Sequence, residues 1–328
     1  MRRPRPTIEH GEQWRPDGFD DEWQFRLKSG VSVLHFGDRG WRLGYARDAA
    51  NSYFVFSQMR KEGVLPRHLK FQVALPMPYS AVTSFFPDAA EHPVVVRAIT
   101  DAIAEEIACI VDQIPPEDLA IQLDLAVENR YIEKTLEQSG LDAARREVDR
   151  LVSPAATLCK RIPAATALGF HSCYGTIIGW PTRKPRSLAG SVLLANAFAR
   201  YAGRAVDFVH VPTVERADED YFRPLEQLET GDARLYLGLI HHLHGADGIR
   251  RQIHVARKFR ADFGIAAPCG FGRVREKPGG LVPGDVRAHN YLEAIIGDHE
   301  AAVAILKEGP PRRDAGGRPI GASAGVVR

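Results

Sequence analysis

The chain has 328 residues, of which 45% are hydrophobic and 26% are charged, with a formal net charge of +2. It is long enough to bury the core of one large domain or two smaller ones. This charge balance argues against nucleic acid or an anionic membrane as the main partner. The basic start of the chain is followed by no apolar stretch, and no apolar run is long enough to cross a bilayer. We therefore expect a cytoplasmic protein with neither partner.

The four cysteines are too few for a disulfide framework in a chain of this length. We expect them to be reduced. Cys109 and Cys159 fall in predicted helices and are interpreted as packing residues, because free cysteine packs as a small hydrophobic side chain. Cys173 and Cys269 remain as candidates for chemistry.

The two ends are predicted to be flexible, over residues 1–20 and 309–328, because turn-forming and charged residues dominate them. Residues 21–308 are predicted to form a single domain in which strands and helices alternate. The apolar segments predict strands over 31–36, 69–75, 119–125, 165–171, 206–211, 234–241 and 262–267. Periodic apolar stripes predict helices over 94–114, 154–161, 188–201, 248–259 and 285–307.

This alternation favours parallel strands joined by right-handed crossovers. Seven candidate strands fit an α/β fold of the (β/α)8 TIM barrel type with one strand unrecognised or replaced. A doubly wound open sheet is the structural alternative. Its nucleotide-binding version lacks support, because no Gly-x-Gly-x-x-Gly follows the first strand and no Walker sequence is present.

Ligand-type or acid–base side chains stand at the ends of five consecutive predicted strands. In a barrel, the active site forms at the C-terminal ends of the strands. These residues are Asp124 with Gln122, His171 with Cys173, His210, His241 with His242, and Cys269. Each has a structural alternative: a lone histidine can be a hydrogen-bonded core residue, and Asp124 can cap the following helix. The functional interpretation rests on the combination.

A metal site is indicated by His171 and Cys173, which lie two residues apart at a strand end. Side chains two apart on a strand point to the same face. An imidazole and a thiolate on one face are half of a zinc site, and Cys269 at the end of a later strand would extend it.

Three motifs in order resemble the catalytic barrel of cobalamin-independent methionine synthases and related zinc-dependent thiol alkyltransferases. They are Leu119-Ala120-Ile121-Gln122-Leu123-Asp124, His171-Ser172-Cys173-Tyr174-Gly175, and Ala267-Pro268-Cys269-Gly270-Phe271-Gly272-Arg273. The similarity runs from about residue 34 to residue 273 and implies a single barrel of the methionine synthase and uroporphyrinogen decarboxylase type.

The resemblance implies one Zn²⁺ per chain, held by His171, Cys173 and Cys269. A fourth protein ligand would come from the intervening strand, where the methionine synthases have a glutamate. Here that strand carries His210, which we take as the ligand, with Glu215 in the following loop as the substitute and water as a further possibility.

The resemblance also implies catalytic and substrate-binding residues. His241 matches a histidine that acts as acid toward the leaving group, and Asp124 matches a residue that binds the substrate amino group. The carboxylate next to Asp124 in the family is missing, and Glu128 is its possible substitute. Gln122 belongs to the same motif as Asp124 and is also taken as substrate-binding.

Three further substrate-binding candidates follow from the motifs and the loop after the His-x-Cys strand. Tyr174 and Trp180 offer flat apolar surface to an aromatic or pterin-like substrate, or else pack the loop onto the barrel. Arg273 closes the third motif and is either substrate-binding or a solvated surface charge.

The predicted function is zinc-dependent methyl or alkyl transfer to a small-molecule thiol, with a folate-type methyl donor as possible co-substrate. The alternative is a zinc-dependent lyase or hydrolase acting on a small catabolic substrate, which the absence of a folate-binding half and the histidine at position 210 favour. A third possibility is a metal-free barrel of the uroporphyrinogen decarboxylase type. The sequence leaves the oligomeric state open.

Overall fold

The structure is a computed structural model that describes residues 8–14, 22–36, 43–175, 181, 184–241, 245–269 and 286–308. Its strands are β1 (Ile8–Trp14), β2 (Glu22–Leu27), β3 (Phe71–Pro76), β4 (Leu119–Leu125), β5 (Ala167–Ser172), β6 (Phe208–Pro212), β7 (Arg234–Gly238) and β8 (Gly264–Ile265). Its helices are α1 (Tyr45–Lys61), α2 (Pro78–Val82), α3 (His92–Gln113), α4 (Val127–Val152), α5 (Ala155–Cys159), α6 (Ala189–Tyr201), α7 (Glu219–Phe222), α8 (Gly245–Ala256) and α9 (Val286–Lys307).

The central sheet has six parallel strands in the order β3-β4-β5-β6-β7-β8, which is also their order along the chain. A segment with helical structure connects each strand to the next, and each strand pairs with the one before it in the sequence. Parallel neighbours require such crossover connections. β1 and β2 form a separate antiparallel pair. The architecture is α/β and compatible with a TIM-barrel-like fold; among the described residues, no pairing joins β8 to β3.

The two faces of the sheet differ in what they carry. One face packs against the helices: Phe170 on β5 is fully buried and its ring lies 4.8 Å from that of Phe198 on α6. The opposite face carries polar side chains, among them Gln122 and His171. Because successive side chains of a strand point to opposite faces of the sheet, alternate residues line the hydrophobic core and the polar face.

The sheet is strongly curved. Three inter-strand steps of about 4.8 Å would separate β5 from β8 by about 14 Å in a flat sheet. Yet Cys173, directly after β5, and Cys269, four residues after β8, bring their Sγ atoms to 3.7 Å. The strand ends therefore converge on the polar, concave face.

The first predicted strand is wrong, because residues 31–36 form no strand in the structure. Leu34 is buried in the core, but Val33 is 64% exposed. β-branched residues favour a strand only where a neighbouring strand and a packing surface are present. The antiparallel pair β1–β2 has no counterpart among the predicted strands.

The remaining predicted elements are present with small differences in their bounds. The strand predicted over 119–125 has those bounds, and the helix predicted over 94–114 is α3. The strands predicted over 234–241 and 262–267 are shorter, because β7 ends at Gly238 and β8 contains only Gly264–Ile265. Within the described ranges, no helix combines the length and apolar character that a membrane crossing requires.

Candidate metal centre

A row of side chains crosses the concave face at one register of the sheet. Asp124 on β4 is paired with His171 on β5, which is paired with His210 on β6. The row continues to Tyr236 on β7 and Gly264 on β8. Parallel pairing at one level thus brings a carboxylate, two imidazoles and a phenol onto neighbouring strands.

His171, Cys173 and Cys269 form a potential metal-binding group whose donor atoms all lie within 4.8 Å of one another. The two Sγ atoms are 3.7 Å apart. Two zinc–sulfur bonds of about 2.3 Å at a tetrahedral angle would place the sulfur atoms about 3.8 Å apart. The spacing of the two cysteines therefore matches that of two thiolates on one ion.

His171 supports the same interpretation. Its side chain is 5% exposed, and neither Nδ1 nor Nε2 has a hydrogen-bond partner among the described residues. A buried polar group without a partner destabilises a fold by about 1–3 kcal/mol, so such groups are rare in native proteins. A metal ion would give one of these nitrogens its missing partner.

The surroundings of Cys173 favour its thiol form. The hydrogen bond between Cys173 and Cys269, followed by burial, raises the pKa of the Cys173 thiol. A bound cation acts in the opposite direction, because a coordinating thiol is deprotonated. The backbone N–H of Gly175 donates to Cys173 Sγ at 3.4 Å, a contact that would stabilise the thiolate. The two cysteines are not joined by a disulfide, since their sulfur separation far exceeds a disulfide bond of about 2.0 Å.

The donor set fits zinc. Two thiolates and one imidazole are typical zinc ligands, and three protein ligands leave the fourth tetrahedral position for substrate or water, as in catalytic zinc sites. With a neutral imidazole, two thiolates balance the charge of Zn²⁺.

His210, predicted as the fourth ligand, lies beside this group without belonging to it among the described residues. Its ring is stacked on that of His171, with centroids 4.5 Å apart and planes inclined by 24°. Its Nε2 donates to the carbonyl oxygen of Ala267 at 3.1 Å. Burial, followed by the charge of His171, lowers the pKa of His210 well below its usual value. Glu215, the predicted substitute, lies in the loop after β6 and is likewise outside the group.

Asp124 and Gln122 lie on the concave face close to the metal-binding group. Gln122 donates from Nε2 to Asp124 Oδ1 at 2.8 Å and accepts from Gln72 Nε2 at 3.2 Å. Burial raises the pKa of Asp124, although the charge of His171 and the hydrogen bond from Gln122 each act to lower it. The hydrogen bonds from Gln72 to Gln122 and from Gln122 to Asp124 fix the orientation of the Asp124 carboxylate, which faces the site.

His241 is buried three residues beyond the end of β7. Its Nε2 lies 2.8 Å from the carbonyl oxygen of Thr213 and therefore donates to it. His242, which follows it, lies outside the described residues.

Glu128 is fully buried at the start of α4, where its carboxylate accepts from the backbone N–H and the hydroxyl of Ser80. Burial raises the pKa of Glu128 to about 7. The Ser80 hydroxyl in turn accepts the N–H groups of Ala126 and Val127, each at 3.0 Å. Glu128 thus joins α2 to the beginning of α4, and its place as a substitute for a substrate-binding carboxylate stays a prediction.

Tyr174 points into the helix layer. It is 5% exposed, and its hydroxyl lies 2.8 Å from that of Tyr221 and 3.4 Å from Ser191 Oγ. The surface it offers to a substrate is therefore limited. The other two substrate-binding candidates, Trp180 and Arg273, lie outside the described residues.

Sequence reasoning missed two residues near the site. Tyr236 shares the register of His171, a position visible only once the strand pairing is known. Tyr45 begins α1, and burial, followed by the charges of Glu106 and Asp124, raises its pKa. No sequence signal marks either residue.

No protein-family profile matches the sequence, and no curated protein sequence matches it. Among solved structures, the fold is similar to that of a candidate vitamin-B12-independent methionine synthase from Listeria monocytogenes, with 16% identity and a TM-score of 0.48 over 80% of this chain and 69% of that chain. It is also similar to the carboxyl transferase domain of Rhizobium etli pyruvate carboxylase, with 15% identity and a TM-score of 0.23 over 84% of this chain and 53% of that chain. At these identities and TM-scores, neither likeness carries an argument about the fold or the reaction of this protein.

Proposed function

We propose that the protein is a zinc-dependent enzyme that transfers a methyl or alkyl group to a small-molecule thiol. The observation that carries the proposal is the convergence of His171, Cys173 and Cys269, with a sulfur separation of 3.7 Å and an imidazole whose nitrogens have no hydrogen-bond partner among the described residues. The resemblance of the three sequence motifs to zinc-dependent thiol alkyltransferases supports this class of reaction.

The metal ion, when bound, would lower the pKa of an acceptor thiol and present its sulfur as a nucleophile. The chain's own residues then perform orientation and proton transfer. Asp124, held by Gln122, presents a fixed carboxylate to a cationic or hydrogen-bonding part of the acceptor. Because Nε2 of His241 donates to Thr213, Nδ1 is the nitrogen that would hold and release a proton for the leaving group.

Metal content and thiol-dependent transfer test the proposal together. Wild type is expected to contain about one zinc per chain and to alkylate a thiol from an added methyl donor. Cys173→Ala and Cys269→Ala should each lose both properties. Cys109→Ala, on α3, is the matched control and should keep both. Full transfer activity in Cys269→Ala, or metal-free wild type after purification under reducing, chelator-free conditions, would refute the proposal.

A second candidate is a zinc-dependent lyase or hydrolase. It is favoured by the three-donor group, which leaves one position that suits water as well as a thiol. Turnover of a small substrate without any added thiol distinguishes it from the transferase.

A further inference from the structure

His210 contacts both segments that supply the metal-binding group. Its ring lies against His171 at 4.5 Å, and its Nε2–H is donated to Ala267, two residues before Cys269. The carbonyl oxygen of Ala267 can only accept, so Nε2 carries the proton in this arrangement. One side chain thus joins the end of β5 to the loop after β8.

The stacked geometry is unsuited to shared ligation by the two histidines. A zinc ion lies in the plane of each imidazole that binds it, about 2 Å from the nitrogen. The ring of His210 is stacked on that of His171 at 4.5 Å with an inclination of only 24°, and its Nε2 is engaged by the carbonyl oxygen of Ala267. Among the described residues, His210 lies outside the group whose donor atoms come within 4.8 Å of one another.

As a metal ligand, His171 requires a contact that fixes the orientation of its imidazole ring. A ligating histidine almost always donates its second N–H to a carboxylate, carbonyl or water, which sets the plane of the ring. Neither nitrogen of His171 has such a partner among the described residues. The flat face of His210 is the contact that restricts rotation of this ring, and its hydrogen bond holds the backbone that carries Cys269.

We infer that His210 is a positioning residue of the metal centre and not a ligand: it orients His171 by stacking and Cys269 through Ala267. This inference rests on the proposed function, since it presupposes that His171, Cys173 and Cys269 bind a metal.

Two variants separate the contacts of His210. His210→Phe retains a flat ring and removes the hydrogen bond to Ala267, whereas His210→Gln retains an N–H donor and removes the stacked ring. His92→Phe is the matched control, because His92 is also a buried imidazole whose Nε2 bonds a backbone carbonyl, that of Phe86, at 2.9 Å.

The experiment measures Zn²⁺ affinity by competition with a chromophoric chelator and the visible absorption of the Co²⁺-substituted protein. Removing an outer contact to a metal ligand typically weakens metal binding by about 10- to 100-fold. We expect a loss in this range for both His210 variants, with Co²⁺ band positions and intensities equal to those of wild type. His92→Phe should bind both metals as wild type does.

Three outcomes would overturn the inference, each in a distinct way. Shifted Co²⁺ bands in both His210 variants would show that His210 is a ligand. Wild-type Zn²⁺ affinity in both variants would show that His210 does not position the metal ligands. If wild type binds neither Zn²⁺ nor Co²⁺, the proposed function fails first and the inference with it. Circular dichroism of the metal-free variants identifies a folding defect, and the second variant then decides the question.

Discussion

His171 is buried at the end of β5 without a partner for either ring nitrogen among the described residues, and two thiols lie within reach of it. An apolar residue at this position would remove the desolvation cost of the imidazole. The unsatisfied imidazole beside two sulfur atoms at ligand spacing therefore supports the proposed metal site. Glu128 is a different case, because its buried carboxylate has hydrogen-bond donors in Ser80.

The stability of the protein should depend on Glu128 between pH 4.5 and about 7. Burial raises the pKa of Glu128 from 4.5 to about 7, so the folded state binds a proton more tightly than the unfolded state. The contribution of this proton is complete below the unfolded pKa and is lost as the pH rises to the folded pKa, a loss of about 3 kcal/mol.

Urea unfolding across this pH window measures the effect. Glu128→Gln cannot titrate, so its free energy of unfolding should gain about 3 kcal/mol relative to wild type as the pH rises from 4.5 to about 7. Glu226→Gln, an exposed control, should follow wild type throughout. Parallel profiles for wild type and Glu128→Gln would contradict the prediction.

The ends of β6, β7 and β8 approach each other closely around Gly238, the last residue of β7. A Cβ at this position would lie 2.7 Å from Pro268 Cα and 3.0 Å from both Ala267 O and Pro212 Cα. All three neighbours are backbone atoms, which cannot move aside as a flexible side chain can. The glycine therefore allows the segment that carries Cys269 to lie against the sheet.

Gly238→Ala should displace this segment and weaken metal binding. Overpacking of this kind typically destabilises a protein by about 1–3 kcal/mol. We expect a loss of stability in this range together with at least a 10-fold loss of Zn²⁺ affinity, measured by urea unfolding and chelator competition.

Gly297→Ala on α9 is the control, because its Cβ would have no atom within 4 Å. Replacing glycine by alanine inside a helix stabilises it by about 0.5–1 kcal/mol, so this variant should be slightly more stable and bind zinc normally. Wild-type zinc affinity in Gly238→Ala would show that the close approach does not position Cys269.

At the scale of the whole molecule, the metal-binding group joins distant parts of the chain. Cys173 and Cys269 are 96 residues apart in sequence and come from the two sides of the β6–β7 pair. A ligand that binds only the folded state stabilises it according to its free concentration. Zinc bound across this sheet should therefore stabilise the entire fold, and not only the loops that carry the ligands.

Zinc-loaded wild type should lose stability when a strong chelator is added. At free zinc about 100-fold above the dissociation constant, the expected contribution is about 2.7 kcal/mol, measured as a shift of the thermal or urea midpoint. Cys269→Ala should show no chelator effect. An equal shift of the unfolding midpoint in wild type and in Cys269→Ala would show that the chelator acts on another site of the protein.

The sequence by itself determined the elements whose signal is local. The strand over 119–125 and the helix α3 follow from continuous apolar character and from isoleucines at helical spacing, because each element must bury one side. The strand period also places His171 and Cys173 on one face of the chain. The zinc site, its fourth ligand and the reaction stay predictions.

Only the tertiary structure decided what depends on contacts between distant segments. The strand expected over 31–36 is absent because strand formation requires a neighbouring strand that local sequence does not specify. Curvature of the sheet brings Cys269 to Cys173, and parallel register stacks His210 on His171. Spacing along the chain cannot reveal these distances, because they arise from pairing and closure of strands far apart in sequence.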